Sequence, residues 1–238
     1  MIDTHSHLFV EEFDEDLPAV IERARDSGVS KVFMPNIDDT TVEAMLNVCT
    51  AYKGYCFPMI GFHPTSVGAD SLFRIYEMKK LLSGEHPFVA VGEVGMDLYW
   101  DKTYLKEQQK ALDIQIQWAL EYHLPLVLHC REAFPELFEV MEPYKKTELS
   151  GIFHSFTGTL EEAGQVLEYA RFFFGINGVV TFKKSSLAEV LPHIPLGRIV
   201  LETDSPYLAP VPFRGKRNES SYIKLSLIHI SEPTRLRR

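Results

Sequence analysis

Eight short apolar runs, each followed by a longer stretch with helical patterning, constrain this chain more than any other feature. The runs fall at 2–7, 30–36, 55–62, 88–93, 125–130, 149–155, 172–178 and 198–204. Most show little polar alternation, the pattern of strands buried on both faces of a parallel sheet. Helices are expected between them near 14–27, 39–52, 71–82, 103–122, 132–145, 160–169 and 185–191. In the fourth of these, Tyr104, Gln108, Ala111, Leu112, Ile114, Gln115, Trp118 and Ala119 fall on a helical repeat that mixes an apolar stripe with polar positions. Eight such units predict an α/β fold, a TIM-type (β/α)8 barrel, ahead of a doubly wound sheet. The length of 238 residues suits one such domain.

Seven helices are expected for eight strands. After Asp204 come a proline-rich loop and the run Arg214-Gly215-Lys216-Arg217-Asn218-Glu219. Pro233 and three late arginines make the remaining residues a poor helix. The chain therefore divides into a hydrolase-type barrel over 1–222 and a tail over 223–238. The tail resembles translated adapter sequence, so it is expected to be artefactual or disordered, with the final outer helix missing.

A barrel of this kind carries its active residues at the C-terminal ends of its strands. His7, Glu93, His129, His154 and Asp204 each close one of the runs, and His63 follows the third. His5 and His7 lie at i and i+2 and so point the same way from a strand, which places two imidazoles on one cation or packs them together. Glu93, straight after an apolar strand, needs a partner. The partner is either an arginine or a cation, including a carboxylate shared by two ions. Gly92 and Gly95 allow close backbone approach around it. His129 and His154 are ligands or satisfied core histidines. Glu202, two residues before Asp204, either orients a ligand histidine or makes a salt bridge inside the barrel. Imidazole and carboxylate donors suit Zn²⁺ or Mn²⁺, and Mg²⁺ remains compatible. Six donors are enough for two ions sharing a carboxylate, a pair that can act on a phosphate or a carbonyl.

A second layer concerns the substrate. His63, and Arg131 at the barrel mouth, are placed to meet an anion, or loop hydrogen bonding accounts for His63. Arg214, Lys216 and Arg217 form a basic island in a chain of net charge −9. They either hold phosphate through charge-assisted hydrogen bonds or form an ordinary solvated loop. Tyr99 and Trp100 either stack on a base or pack the rim. Cys49, Cys56 and Cys130 make no disulfide framework, which points to a reduced, cytoplasmic setting. No membrane segment or signal peptide is expected. There is no GxGxxG, Walker A or GxSxG motif.

Taken in order, Asp3-Thr4-His5-Ser6-His7, Gly61-Phe62-His63-Pro64, Gly92-Glu93-Val94-Gly95-Met96-Asp97, Leu128-His129-Cys130-Arg131, His154-Ser155-Phe156-Thr157-Gly158 and Glu202-Thr203-Asp204-Ser205-Pro206 resemble the TatD family of metal-dependent deoxyribonucleases, within the amidohydrolase-like barrels. The resemblance covers residues 1 to about 222. It implies a (β/α)8 barrel that hydrolyses phosphodiester bonds in DNA as a 3′-5′ exonuclease, with two divalent ions (Mg²⁺, Mn²⁺ or Zn²⁺) and a metal-activated water. By position it makes His5, His7 and Asp204 ligands of one ion and His129 and His154 ligands of the other, with Glu93 bridging and catalytic. Asp204 also helps to deprotonate the water. His63 and the basic loop of Arg214, Lys216 and Arg217 become phosphate contacts, and Arg131 at the barrel mouth is expected to bind substrate with them. The expected substrate is single-stranded DNA or 3′ ends, and the expected state a monomer without membrane association. Met96 stands where the family commonly has leucine and Ser220 where it usually has proline; from about Lys224 the pattern is lost. The rival class is a two-metal amidohydrolase-type enzyme for a small ester, lactone or amide. Many of those carry a carboxylated lysine at a strand end, and no lysine ends any of the eight runs.

Overall fold

The computed structural model describes residues 1–231. All eight expected strands form: β1 (Ile2–Asp3), β2 (Lys31–Met34), β3 (Cys56–Pro58), β4 (Val91–Asp97), β5 (Leu126–Arg131), β6 (Gly151–Phe153), β7 (Phe172–Ile176) and β8 (Ile199–Leu201). All paired strands are parallel, in the orders β1-β2-β3 and β4-β5-β6-β7-β8. Two parallel bridges complete the ring, Ile60 with Val91 and Ser6 with Ser205. At the second seam Thr4 N donates to Leu201 O at 3.1 Å and Asp204 N to His5 O at 2.9 Å. The strands run in sequence order around a closed (β/α)8 barrel, and no doubly wound sheet forms.

The outer layer comprises α1 (Leu17–Asp26), α2 (Val42–Ala51), α3 (Ser71–Lys79), α4 (Leu105–Glu121), α5 (Phe134–Met141), α6 (Leu160–Leu167), α7 (Leu187–Val190) and α8 (Ile223–Ser231), with short 3-10 turns between. The α4 stripe is largely buried, and its two glutamines clamp strand ends. Phe62 N donates to Gln115 Oε1 at 2.7 Å, and Asp97 N donates to Gln108 Oε1 at 2.9 Å. Gln108 Nε2 returns a bond to Asp97 O at 3.0 Å, so these buried amides are satisfied by backbone that would otherwise lack partners. The start of α6 is fixed by a capping box in which Thr159 Oγ1 and Glu162 each accept from the other's backbone N–H.

Two expectations are corrected. The fourth strand begins at Val91 and runs to Asp97, not 88–93, with its register shifting between Val91 and Val94. Glu93 therefore lies inside the strand and Asp97 ends it. The eighth helix, expected to be missing, is present: Ile223 is fully buried in the core and Ile230 packs partly buried against it. Just before it, Ser220 Oγ donates to the buried Asp3 at 2.6 Å, tying this segment to β1. Burial of Ile223 supplies the driving force, while Pro233 and the arginines that argue against a helix lie beyond its end. The expectation for 232–238 lies outside the described residues.

Candidate metal centre

The C-terminal mouth of the barrel gathers five histidines around Glu93 and Asp204. The two oxygens of Glu93 face different sets. Oε2 is 3.0 Å from His5 Nε2 and 3.6 Å from His7 Nε2. Oε1 is 2.9 Å from His129 Nδ1, 3.3 Å from His63 Nε2 and 3.7 Å from His154 Nε2. Asp204 is divided in the same way, with Oδ1 at 3.7 and 3.5 Å from His5 and His7 and Oδ2 at 3.7 Å from His154. Among the described residues three groups of donor atoms are close enough to hold an ion: His5, His7 and Glu93; His63, Glu93 and His129; and His5, His154 and Glu202.

The strand geometry explains why these side chains meet. Glu93, Gly95 and Asp97 alternate onto one face of β4. Gly95 pairs with His129 in β5, and a Cβ at Gly95 would lie 2.0 Å from His129 O. The imidazole of His129 thus stands between two carboxylates of the neighbouring strand, with Nδ1 toward Glu93 and Nε2 2.8 Å from Asp97 Oδ2. Glu202 occupies space left by Gly175, where a Cβ would come within 2.3 Å of its Oε2. Its Oε1 accepts from Ser155 N at 2.6 Å and lies 3.0 Å from His154 Nδ1. Of the two readings of Glu202, the structure supports the one in which it orients His154.

The donor set fits divalent cations. His5 Nε2 and His7 Nε2 face each other at 3.2 Å in a fully buried place, with carboxylate oxygens of Glu93 and Asp204 around them. Several lone pairs converging out of water need a positive charge between them. Burial favours the neutral, ligating forms of His5 and His63 by lowering their pKa values. Burial pushes Glu93 up, but the imidazoles of His5, His63 and His154 outweigh it and hold the carboxyl well below the usual range. Burial likewise opposes ionisation of Asp204, and His154 foremost reverses it. His154 and His129 are raised despite burial, because Glu202 lies beside the first and Asp97 and Glu93 hydrogen-bond the second. A cation held by these residues would take the place of those protons.

A model of the family described as TatD related DNase matches residues 2–237. This chain belongs to that family. A TatD-family barrel of this kind, with clustered His and carboxylate donors, is a metal-dependent hydrolase acting on phosphodiester bonds. The chain is 36% identical over 233 residues to the uncharacterized metal-dependent hydrolase YabD of Bacillus subtilis, covering 98% of this chain and 90% of that protein. It is 32% identical over 235 residues to the 3′-5′ ssDNA/RNA exonuclease TatD of Pantoea ananatis, covering 94% and 87%. Among solved structures it resembles YJJV, a TatD homolog from Escherichia coli, with a TM-score of 0.85, 27% identity and coverage of 97% and 90%.

The remaining expected residues of this TatD-family chain separate into two groups. A cavity of about 600 Å³ is lined by His7, His63, Glu93, His129, Arg131, His154 and Asp204 among others. His63 caps the 3-10 turn Pro64–Ser66 by accepting from Thr65 N, which aims its other nitrogen at Glu93. It therefore joins the donor cluster, beyond the phosphate contact expected of it. Arg217 is not brought to this cavity. It donates to Asp16 at 2.7 and 2.8 Å and lies over the Phe13 ring, so it ties the last loop to α1. Arg214 is exposed and stacks on Phe182 at 3.6 Å, beside the exposed Lys183 and Lys184; Lys216 is exposed on the same loop as Arg214.

Sequence reasoning missed Asp97 and Asp3. Asp97 is four residues beyond Glu93, a spacing that puts both on one face once the strand is extended. Asp3 is fully buried and accepts from Thr203 N, Thr203 Oγ1 and Ser220 Oγ at 2.9, 2.6 and 2.6 Å. It holds β1 to the segment that carries Asp204, and burial raises its pKa to about 6.

Proposed function

We propose that this chain is a divalent-metal-dependent 3′-5′ exonuclease that removes nucleotides from single-stranded DNA ends. The observation that carries the reading is the two-sided Glu93, with each oxygen turned to a separate histidine set. Bound there, two divalent ions supply Lewis-acid activation of water and neutralise charge developing on the phosphate. Glu93 and the five histidines fix positions. Asp204 is the most exposed of the carboxylates at the site, which supports a role in taking a proton from the attacking water. Arg131, at the same cavity, can meet a phosphate oxygen through a charge-assisted hydrogen bond.

The cavity volume falls in the range of small-ligand pockets, which favours an unpaired strand end over a duplex. Lys183, Lys184, Arg214 and Lys216 are exposed on the loops after β7 and β8, and this basic group supports contact with the rest of the strand's phosphates. Among the described residues no helix is long and apolar enough to cross a membrane. The three cysteines are free, which supports a reduced cytoplasmic setting. The test is turnover of single-stranded DNA labelled separately at the 3′ and 5′ ends, with Mg²⁺, Mn²⁺, Zn²⁺ or EDTA. The expected result is metal-dependent release of 3′-terminal nucleotides, abolished by EDTA. Absence of release with every ion overturns the reading.

A further inference from the structure

Trp100 is 71% exposed, an unusual setting for an indole. Exposure alone does not single it out, because Leu196 at 76% and Phe73 at 71% match it. Trp100 differs in lining the same cavity as His63, Glu93 and Asp204. It is also braced. The Tyr99 ring meets it at 88° with centroids 4.8 Å apart, and the Arg131 guanidinium lies 3.6 Å over Tyr99 and 5.4 Å from Trp100. Tyr99 N donates to Asp97 Oδ1 at 3.0 Å, and the other oxygen of Asp97 holds His129 Nε2. One carboxylate thus fixes both a histidine of the metal centre and the aromatic pair at the rim, setting the distance between them.

An uncovered indole beside a held guanidinium, bordering a phosphodiester-cleaving centre, matches an unpaired nucleobase with its phosphate: the base offers a π face and the phosphate a negative charge. We propose that Trp100 is the stacking surface for the 3′-terminal base, that Tyr99 and Arg131 are its positioning residues, and that this surface selects unpaired over paired ends. A paired terminal base is held in the duplex by its partner's hydrogen bonds and its inner neighbour, so it must unpair before it can leave the helix and lie on the indole beside the cleavage centre. The inference rests on the nuclease reading above.

The test uses the metal-loaded enzyme and a single-stranded oligonucleotide whose 3′-terminal base is the fluorescent purine analogue 2-aminopurine. In stopped flow the parent should quench the fluorescence on binding, through stacking, before release restores it. Trp100→Ala should lose the quench and raise KM by roughly five- to a hundredfold with kcat within about twofold, the range expected for one stacked base. Trp100→Phe should recover part of both. A parallel thermal melt separates stacking from folding, because the exposed side chain contributes little to stability. A Trp100→Ala variant that keeps the parent's quench and KM overturns the inference while leaving the nuclease reading intact. A parent that releases nothing from any DNA removes both.

Discussion

At the residue scale the centre depends on carboxylates that touch more than one imidazole. Glu93 meets five histidines through its two oxygens, so Glu93→Ala should weaken both ions and lower kcat by roughly a thousandfold, the loss that matches several kcal/mol of charge stabilisation. Metal analysis of the purified variant should show fewer than the parent's bound ions; an unchanged content removes the bridging role. Glu202 Oε1 lies 3.0 Å from His154 Nδ1, so its charge is felt at that imidazole. Glu202→Gln keeps the volume but removes the charge beside His154 Nδ1, and should lower metal affinity or activity by about 10- to 100-fold, measured by metal titration. Most of this centre was legible in the sequence, because metal-type side chains at the ends of apolar runs have few other uses. Arg217 was misplaced. Its charge was visible, but Asp16, about two hundred residues upstream, is the partner that occupies it.

At the scale of elements, two places departed from local pattern. β4 carries Gly92 and Gly95, which weaken a strand signal, yet its continuation to Asp97 is enforced by pairing of Met96 and Asp97 with Cys130 and Arg131. The last helix is marked by Ile223, whose burial no local propensity reports. Ile223→Ala should destabilise the barrel by about 2–5 kcal/mol, read from chemical denaturation, because it opens a hole in the core where α8 covers it. A cost below about 1 kcal/mol would mean that α8 does not close the barrel in solution. At α6, Thr159→Ala removes a capping box and should cost about 1 kcal/mol by the same measurement, leaving kcat unchanged.

Across the whole molecule, charge is spread unevenly. The chain carries net charge −9, while basic side chains collect on the loops after β7 and β8. Replacing Lys183 and Lys184 together by alanine should raise KM for long single strands more than for dinucleotides. It should also reduce the salt slope of binding by about 0.7 for each phosphate that is no longer neutralised, measured by anisotropy. Elsewhere the two ends of the barrel sequence are joined by ion pairs. The Arg217 guanidinium beside Asp16 holds its carboxyl down to about 2, below its ordinary 3.8. Because the folded-state value is depressed, the pair's contribution is complete above the ordinary value and is lost as pH falls through about 2. Asp16→Asn should therefore flatten the loss of stability between pH ~4 and ~2 and leave neutral-pH chemistry unaltered, as followed by circular dichroism.

The chain's own pattern determined the barrel, the order of its strands and the candidate donors, since buried parallel strands must be largely apolar and a barrel of this kind gathers its polar side chains at the C-terminal mouth. Tertiary structure decided what depends on partners far apart in sequence. It turned the two oxygens of Glu93 toward different histidines, set His129 between Glu93 and Asp97, and gave Glu202 the space beside Gly175. It also drew Arg217 away to Asp16 and buried Ile223 in the core. Periodicity reports which face of an element is buried. Which groups then meet across the barrel is fixed by strand register and closure, and these emerge only when the whole ring packs.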